Sequence, residues 1–471
     1  MTGSLRPLRS ARGALCALAL AACGSSPAKS TAPGDAARAG TGAAQSLHVP
    51  IRATTLANGL RVVMSRDTTA PVVAVAVYYN IGFRIEPRDR TGFAHLFEHM
   101  MFQGSQNLGK MEFIKMVQSS GGVLNGSTRF DFTNYFEVVP ANTLETMLWG
   151  EADRMRGLSV NQDNLTNQQG VVKSEVRLNV LNRPYGGFPW LDMPQYANKN
   201  WYNAHNFYGD LTDLDHATLA DVQKFFHQYY TPNNAALVVS GDLDYDQTEA
   251  WIRTYFADIP RGPDPTRPDL TEPRQDQEIR AEKVDPLAER PALAVAYHVP
   301  DRNTPAFYAF AMLHEVLLDG HDSALFQKLV QDKQLTGDVE GGVNLLGNQF
   351  DYAGPMLWIV SAMHDRDKTA DQLVAAIDEA IEPLRTQPIS AAALARIRVK
   401  MRARLYDMIE GFFGFGRADL LASFALFDRD PEQINRIEGE LMKVTPELIQ
   451  HTAQDYLRPT NRTILTIKAG K

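Results

Sequence analysis

The residues of this sequence best suited to chemistry are two histidines four apart with a glutamate beside the second: His95-Leu96-Phe97-Glu98-His99. Thr91 is a candidate N-cap, Gly104 a candidate stop, and no proline interrupts the run, so the pattern predicts a helix over 91–104. Residues four apart on a helix share a face. His95 and His99 then point the same way and Glu98 flanks them, while Phe93, Leu96, Phe97, Met100 and Met101 are left to pack. Two neutral imidazoles on one face can hold a metal ion. A neighbouring carboxylate that does not ligate can take a proton from water activated by that ion. The plainer alternative is a surface helix that happens to carry two histidines and a glutamate.

A catalytic zinc site takes three protein ligands and keeps one position open. Residues 164–183 read as a second amphipathic helix, with Val171, Val172, Val176 and Leu178 apolar and Pro184-Tyr185-Gly186 closing it. Glu175 lies among these residues, where a carboxylate is costly unless paired or metal-bound. A glutamate on a helix edge is the alternative there.

Four stretches, 92–105, 121–140, 170–186 and 218–242, together resemble the pitrilysin/insulinase family of zinc metallopeptidases. The order H-x-x-E-H is the inverzincin signature. The chain looks like the bacterial two-domain type, similar to the catalytic subunit of the mitochondrial processing peptidase. The resemblance runs over roughly 50–471 and is strongest in the first half. It implies Zn2+ held by His95, His99 and Glu175, with Glu98 as the catalytic base. It also implies that residues 123–135 form an exposed edge strand, where Asn125 and Gly126 meet an extended substrate peptide by strand addition. Cobalt or manganese would suit the same donors.

The elements that must position these groups are partly legible. Residues 60–64 and 72–79 read as two strands of a sheet, 110–120 as a helix, and 142–156 as a helix with Met147, Leu148 and Met155 in the core. Glu151 and Asp153 on that last helix read as solvated charges. Residues 221–230 are a further helix and 235–240 a strand. The proline-rich, charged run 258–290 reads as a linker. An internal repeat supports two domains of one design: 221–241 and 447–470 each give a helix ending in tyrosine, then a proline, an asparagine and a β-branched strand. The expected fold is therefore α+β with two homologous domains, each an antiparallel sheet with helices packed mainly on one face. The zinc-bearing domain would be 48–257, and 291–471 its homologue without the motif.

Of 471 residues, 44% are hydrophobic and 22% charged, an ordinary globular balance, and the net charge of −8 argues against a nucleic-acid partner. At the N-terminus, Arg6, Arg9 and Arg12 precede a short apolar stretch ending Leu20-Ala21-Ala22-Cys23-Gly24, which resembles a bacterial lipobox. Residues 1–22 would be a signal peptide, Cys23 would carry lipid, and 23–47 would be a flexible tether. This places the protein in the bacterial cell envelope, in the periplasm, and Gly24 leans toward the outer membrane by the same resemblance. Cys16 and Cys23 are the only cysteines, so no cysteine can join a metal site in the mature chain.

Self-sufficient members of the family supply an arginine and, seven residues later, a tyrosine from the second half. Those positions read Val330 and Gly337 here. The acidic residue often found two helical turns before the third ligand is Gln168. The expected function is a zinc endopeptidase that acts on peptides or extended polypeptide segments as the catalytic half of a heterodimer, with a same-fold partner carrying the Arg/Tyr pair. The competing readings are a non-catalytic periplasmic lipoprotein scaffold with a relict metal site, and a protein whose metal is purely structural.

Overall fold

The computed structural model describes residues 47–470, so the expectations for the signal peptide, Cys23 and most of the tether lie outside the described residues. Runs of β-branched and small apolar residues build the strands of the first half: β1 (Arg52–Thr55), β2 (Arg61–Arg66), β3 (Val72–Tyr79), β4 (Val123–Thr128), β5 (Thr133–Pro140) and β6 (Ala235–Gly241). Its helices are α1 (Phe93–Met100), α2 (Glu112–Ser119), α3 (Leu144–Arg156), α4 (Gln162–Val176), α5 (Asp192–Ala197), α6 (Trp201–Ala204), α7 (Leu211–His216), α8 (Leu219–Tyr229) and α9 (Tyr245–Phe256). The second half contributes strands β7 (Ile279–Asp285), β8 (Ala292–His298), β9 (Glu340–Val343), β10 (Leu357–Met363) and β11 (Arg462–Ala469). Its helices are α10 (Pro305–Leu318), α11 (Ala370–Thr386), α12 (Ala391–Glu410), α13 (Phe415–Ser423), α14 (Ile437–Lys443) and α15 (Pro446–Tyr456).

The two sheets share one plan. The first runs β1-β2-β6-β3-β5-β4, the second β7-β11-β8-β10-β9. From β2 onward, order and sense coincide: one parallel pair (β2 with β6, β7 with β11) and antiparallel pairs thereafter. The sequence repeat maps onto α8–β6 and α15–β11. In each copy a buried asparagine ties the helix end to the strand: Asn234 Nδ2 donates to the Tyr229 carbonyl at 2.8 Å and Asn461 Nδ2 to the Tyr456 carbonyl at 2.7 Å.

Each sheet covers its second face with a helix from the other half. Val73, Val75, Val77 and Tyr79 turn toward Phe93, Phe97, Met147 and Phe225. The alternate residues Ala74, Ala76, Tyr78 and Phe136 turn toward the opposite face, where α13 lies against β3 and β6. Reciprocally, α5 of the first half sets Met193 and Ala197 against Ala294, Ala296, Leu465 and Ile467 of the second sheet.

Several local expectations change. Residues 123–135 form a hairpin, β4 and β5 with a turn at 129–132, rather than one strand. The run 258–290 is irregular only to residue 278; beyond that β7 pairs in parallel with β11 at the sheet edge. Glu151 and Asp153 are buried, not solvated. Arg154 donates to Glu151 at 2.5 Å, and Ser105 Oγ and the Asn107 amide donate to Asp153 at 2.6 and 3.0 Å. On α4, Val172 and Val176 are buried and Val171 is exposed, as is Leu178 in the turn that follows.

Candidate metal centre and active site

Helix α1 is fixed at its start by groups distant in sequence. Thr91 is not its N-cap. Gly92 holds that position with φ +84°, and Gly209 presses against it, where a Cβ on Gly209 would stand 2.4 Å from the Gly92 amide nitrogen. The buried Glu86 carboxylate accepts the Gly92 and Ala94 amides at 2.8 and 2.6 Å, doing the work expected of a capping side chain. Burial pushes the Glu86 carboxyl up to about 8 against the pull of those two amides. Thr91 instead binds Asp213 through its amide and hydroxyl at 3.1 and 2.6 Å. Phe93 and Phe97 pack on Phe225 of α8, with ring centroids at 5.6 and 4.8 Å. Burying that face turns His95, Glu98 and His99 toward α4 and β4.

Helix α4 starts at Asn161, whose side chain accepts the Asn164 amide, and seats Leu165, Gln168, Val172 and Val176 in the core. That leaves Glu175 facing α1. His95 Nε2 and His99 Nε2 are 3.3 Å apart. Glu175 Oε1 lies 3.6 Å from His95 Nε2, and Oε2 lies 3.2 Å from His99 Nε2. A tetrahedral ion with bonds of about 2.0–2.1 Å separates its donors by about 3.3–3.4 Å. The two imidazole nitrogens match that spacing, and each has a Glu175 oxygen at 3.2–3.6 Å, so the donor set, two imidazoles and a carboxylate gathered at one point, fits zinc. Two imidazole nitrogens confront each other beside a carboxylate, and His95 Nδ1 is buried with no hydrogen-bond partner among the described residues. His95 and His99 hold the Glu175 carboxyl well below the usual carboxylate range. Exposure is graded: 5% for the His95 side chain, 19% for His99 and 35% for Glu175, so the cluster opens at the Glu175 side.

Glu98 makes no contact of that kind with the cluster. Its Oε2 accepts the Thr128 hydroxyl at 2.8 Å, so the last residue of β4 orients it. β4 is the edge of the first sheet, hydrogen-bonded to β5 alone among described strands. Asn125 is exposed on it and turns its Oδ1 onto the following amide, Gly126 N–H, at 2.9 Å. Gly126 is buried, and a Cβ there would stand 3.1 Å from Tyr135 and 3.3 Å from Phe102. Both residues expected to meet substrate therefore sit on the edge strand that also aims Glu98.

Three contributors to the site are not evident from the sequence: Glu86, Thr128 and Tyr208. The Tyr208 ring lies 5.2 Å from His95, and burial, then Glu175 and Glu98, raise its phenol. Thr128 falls within the family-like stretch 121–140, but nothing in that stretch ties it to Glu98. Glu86 and Tyr208 reach α1 through loops, and no periodicity announces them. Gln168 is buried two turns before Glu175, while Val330 and Gly337 bring no polar group to their positions; Gly337 has open space around its Cα.

Family profiles match both halves of the chain. The profile described as "Insulinase (Peptidase family M16)" matches residues 61–183, and the one described as "Peptidase M16 inactive domain" matches 216–401, together more than half of the chain. The chain belongs to peptidase family M16. The H-x-x-E-H motif falls within the first match. The second takes in α8, β6 and α9 of the first half and strands β7–β10 of the second sheet, and holds no such motif. Among M16 relatives, the zinc protease PqqE of Helicobacter pylori is 26% identical over 88% of this chain and 92% of that protein. The crystal structure of a protease from Helicobacter pylori superposes with a TM-score of 0.81 at 26% identity, covering 89% of this chain and 99% of that one. The periplasmic protease PqqL of Escherichia coli has the same fold (TM-score 0.71, 15% identity), with 90% of this chain matching 48% of the PqqL chain.

Proposed function

We propose that this chain is a zinc endopeptidase in which His95, His99 and Glu175 hold the ion and Glu98 is the general base. The observation that carries the reading is the convergence of His95, His99 and Glu175 on one point, with a further glutamate on α1 that makes no such contact and is held by Thr128. When bound, zinc supplies a Lewis acid that polarises a peptide carbonyl and makes water acidic enough to be deprotonated near neutral pH. Glu98, aimed by Thr128, takes the proton of the attacking water and later returns it to the leaving amine. The free edge of β4 receives the substrate as an added strand, so backbone hydrogen bonds bring the scissile carbonyl past Glu98 without demanding a particular sequence. Asn125 must release the Gly126 amide for that strand to pair.

The chain acts as one half of a heterodimer. Val330 and Gly337 supply neither the arginine nor the tyrosine that would stabilise a developing oxyanion, and a donor of that kind is worth about 10²–10³ in rate. A match to about half of PqqL is consistent with a design in which a second, similarly folded body completes the enzyme. A domain division within the irregular run 258–278, the lipid on Cys23 and a periplasmic, outer-membrane location belong to the same reading; PqqL of Escherichia coli is itself a periplasmic protease. The missing pair also favours a second reading, a scaffold with a relict metal site. A quenched-peptide assay with and without chelator, on the chain alone and with its same-fold partner, separates the two. Chelator-sensitive cleavage that rises about 10²-fold or more with partner is expected. No cleavage under any condition would overturn the peptidase reading, and full activity of the chain alone would overturn the heterodimer.

A further inference from the structure

The loop between α12 and α13 carries Gly411-Phe412-Phe413-Gly414. Phe412 and Phe413 are 53% and 75% exposed, and both hold positive φ, +49° and +56°. Bulky residues avoid that backbone region, and strain of this kind persists where surrounding structure enforces it, commonly at ligand clamps. Here the surroundings do enforce it. A Cβ at Gly416 would stand 1.8 Å from the Met408 carbonyl, so the chain turns back tightly on α12, and Phe415 stacks on Phe136 of β5 at 3.7 Å. Phe412 meets the same Phe136 edge-on at 5.9 Å, and Phe413 lies 5.8 Å from Phe412. Neither ring gains much burial for its strained backbone.

The register of the hairpin says what the tip faces. Asn125 of β4 pairs with Phe136 of β5, and Val123 with Val138. Cross-strand partners share a face, so Val123 and Asn125 point to the side on which Phe412 and Phe415 lie. Gly126 and Thr128, one residue on, point to the side of α1 and Glu98. A peptide strand added to the free edge of β4 must alternate in the same way. Every second side chain of the bound substrate would turn toward Glu98, and the others toward exposed Val123 and the aromatic tip.

We infer that Phe412 and Phe413 are specificity-determining residues, which receive large apolar side chains at alternate positions of a substrate strand lying on β4. The inference rests on the strand-addition reading above. It defines the substrate class as extended polypeptide with the alternating apolar pattern of unfolded β-strands. The tip touches none of the proposed metal ligands, so it acts on recognition and not on the chemical step.

The test is peptide binding to the full chain carrying Glu98→Gln, so that cleavage does not enter the measurement. Fluorescence anisotropy compares two labelled extended peptides, one with phenylalanine and one with alanine at every second position. The phenylalanine peptide is expected to bind about tenfold more tightly, the scale of one or two aromatic contacts. Phe412→Ala with Phe413→Ala should bring its affinity down to that of the alanine peptide. If the double variant fails to fold by circular dichroism, Phe413→Ser replaces it; that ring is mostly exposed, and a several-fold loss of discrimination is expected. Equal weakening of both peptides, unchanged discrimination, or an effect seen only in binding to phosphatidylglycerol vesicles would overturn the inference. Absence of cleavage by the unmutated enzyme would sink the peptidase reading without touching this comparison.

Discussion

Thr128→Val tests whether the edge strand positions the base. Valine keeps the β-branched shape of Thr128 and removes its hydroxyl, which donates to Glu98 Oε2 at 2.8 Å. A hydrogen bond to a charged group is worth about 1.5–3 kcal/mol. Glu98 is half-buried, so water replaces part of that contact and about 1–2 kcal/mol is the fitting range. If the contact serves to hold the carboxylate where water is attacked, kcat should fall about 5–30-fold, with KM changed much less because β4 keeps its backbone edge. Zinc content should stay as in the unmutated protein, since Thr128 reaches none of the three donors. The assay is steady-state hydrolysis of a quenched peptide in the presence of the partner, with metal analysis of the same preparations. An unchanged kcat would refute the positioning role. Loss of zinc would show that Thr128 supports the metal site instead.

Three further predictions concern the scaffold. Asn461→Ala removes the tie between α15 and β11 and leaves the partly buried Tyr456 carbonyl without that donor; the chain should lose about 1–3 kcal/mol in denaturant unfolding, and a loss below about 0.5 would argue against the tie. Arg154→Met strips the cation from buried Glu151 and Glu137, whose carboxyls burial already raises, and should cost about 3–5 kcal/mol; a neutral result would mean the carboxyls are protonated without its help. Glu86 has its folded pKa raised above its ordinary value, so its contribution to stability is full below about 4.5 and is lost as pH rises toward about 8. Glu86→Gln should therefore flatten the decline of Tm with pH across that window, and a parallel decline in both proteins would contradict the assignment.

The shared face of His95 and His99 was legible because it is local: a four-residue spacing on a helix needs no tertiary information. The duplication was legible because helix, proline, asparagine and strand recur in order, and the two sheets do repeat one topology. Glu175 could be offered as a candidate from its apolar neighbours, but its pairing with the histidines required the resemblance, since α4 meets α1 only through the fold. The misses have a common cause in partners supplied from far along the chain. Gly92 rather than Thr91 begins α1 because Glu86 provides the acceptors. Glu151 and Asp153 look solvated by spacing, yet Arg154 binds the first, and Ser105 and Asn107 the second, in the core. Strand β7 hid in the linker because an edge strand is largely exposed and shows little apolar alternation. The turn at 129–132 has no glycine or proline of its own; it is shaped by Gly82, where a Cβ would meet the Arg129 carbonyl at 2.4 Å.

Zinc stoichiometry by inductively coupled plasma analysis, on the unmutated chain, Glu98→Gln and Glu175→Ala, tests the assignment of the metal centre. One ion per chain is predicted for the first two and a loss of tight binding for the third, because Glu175 is assigned as a ligand and Glu98 is not. Zinc retained by Glu175→Ala, or lost from Glu98→Gln, would contradict it.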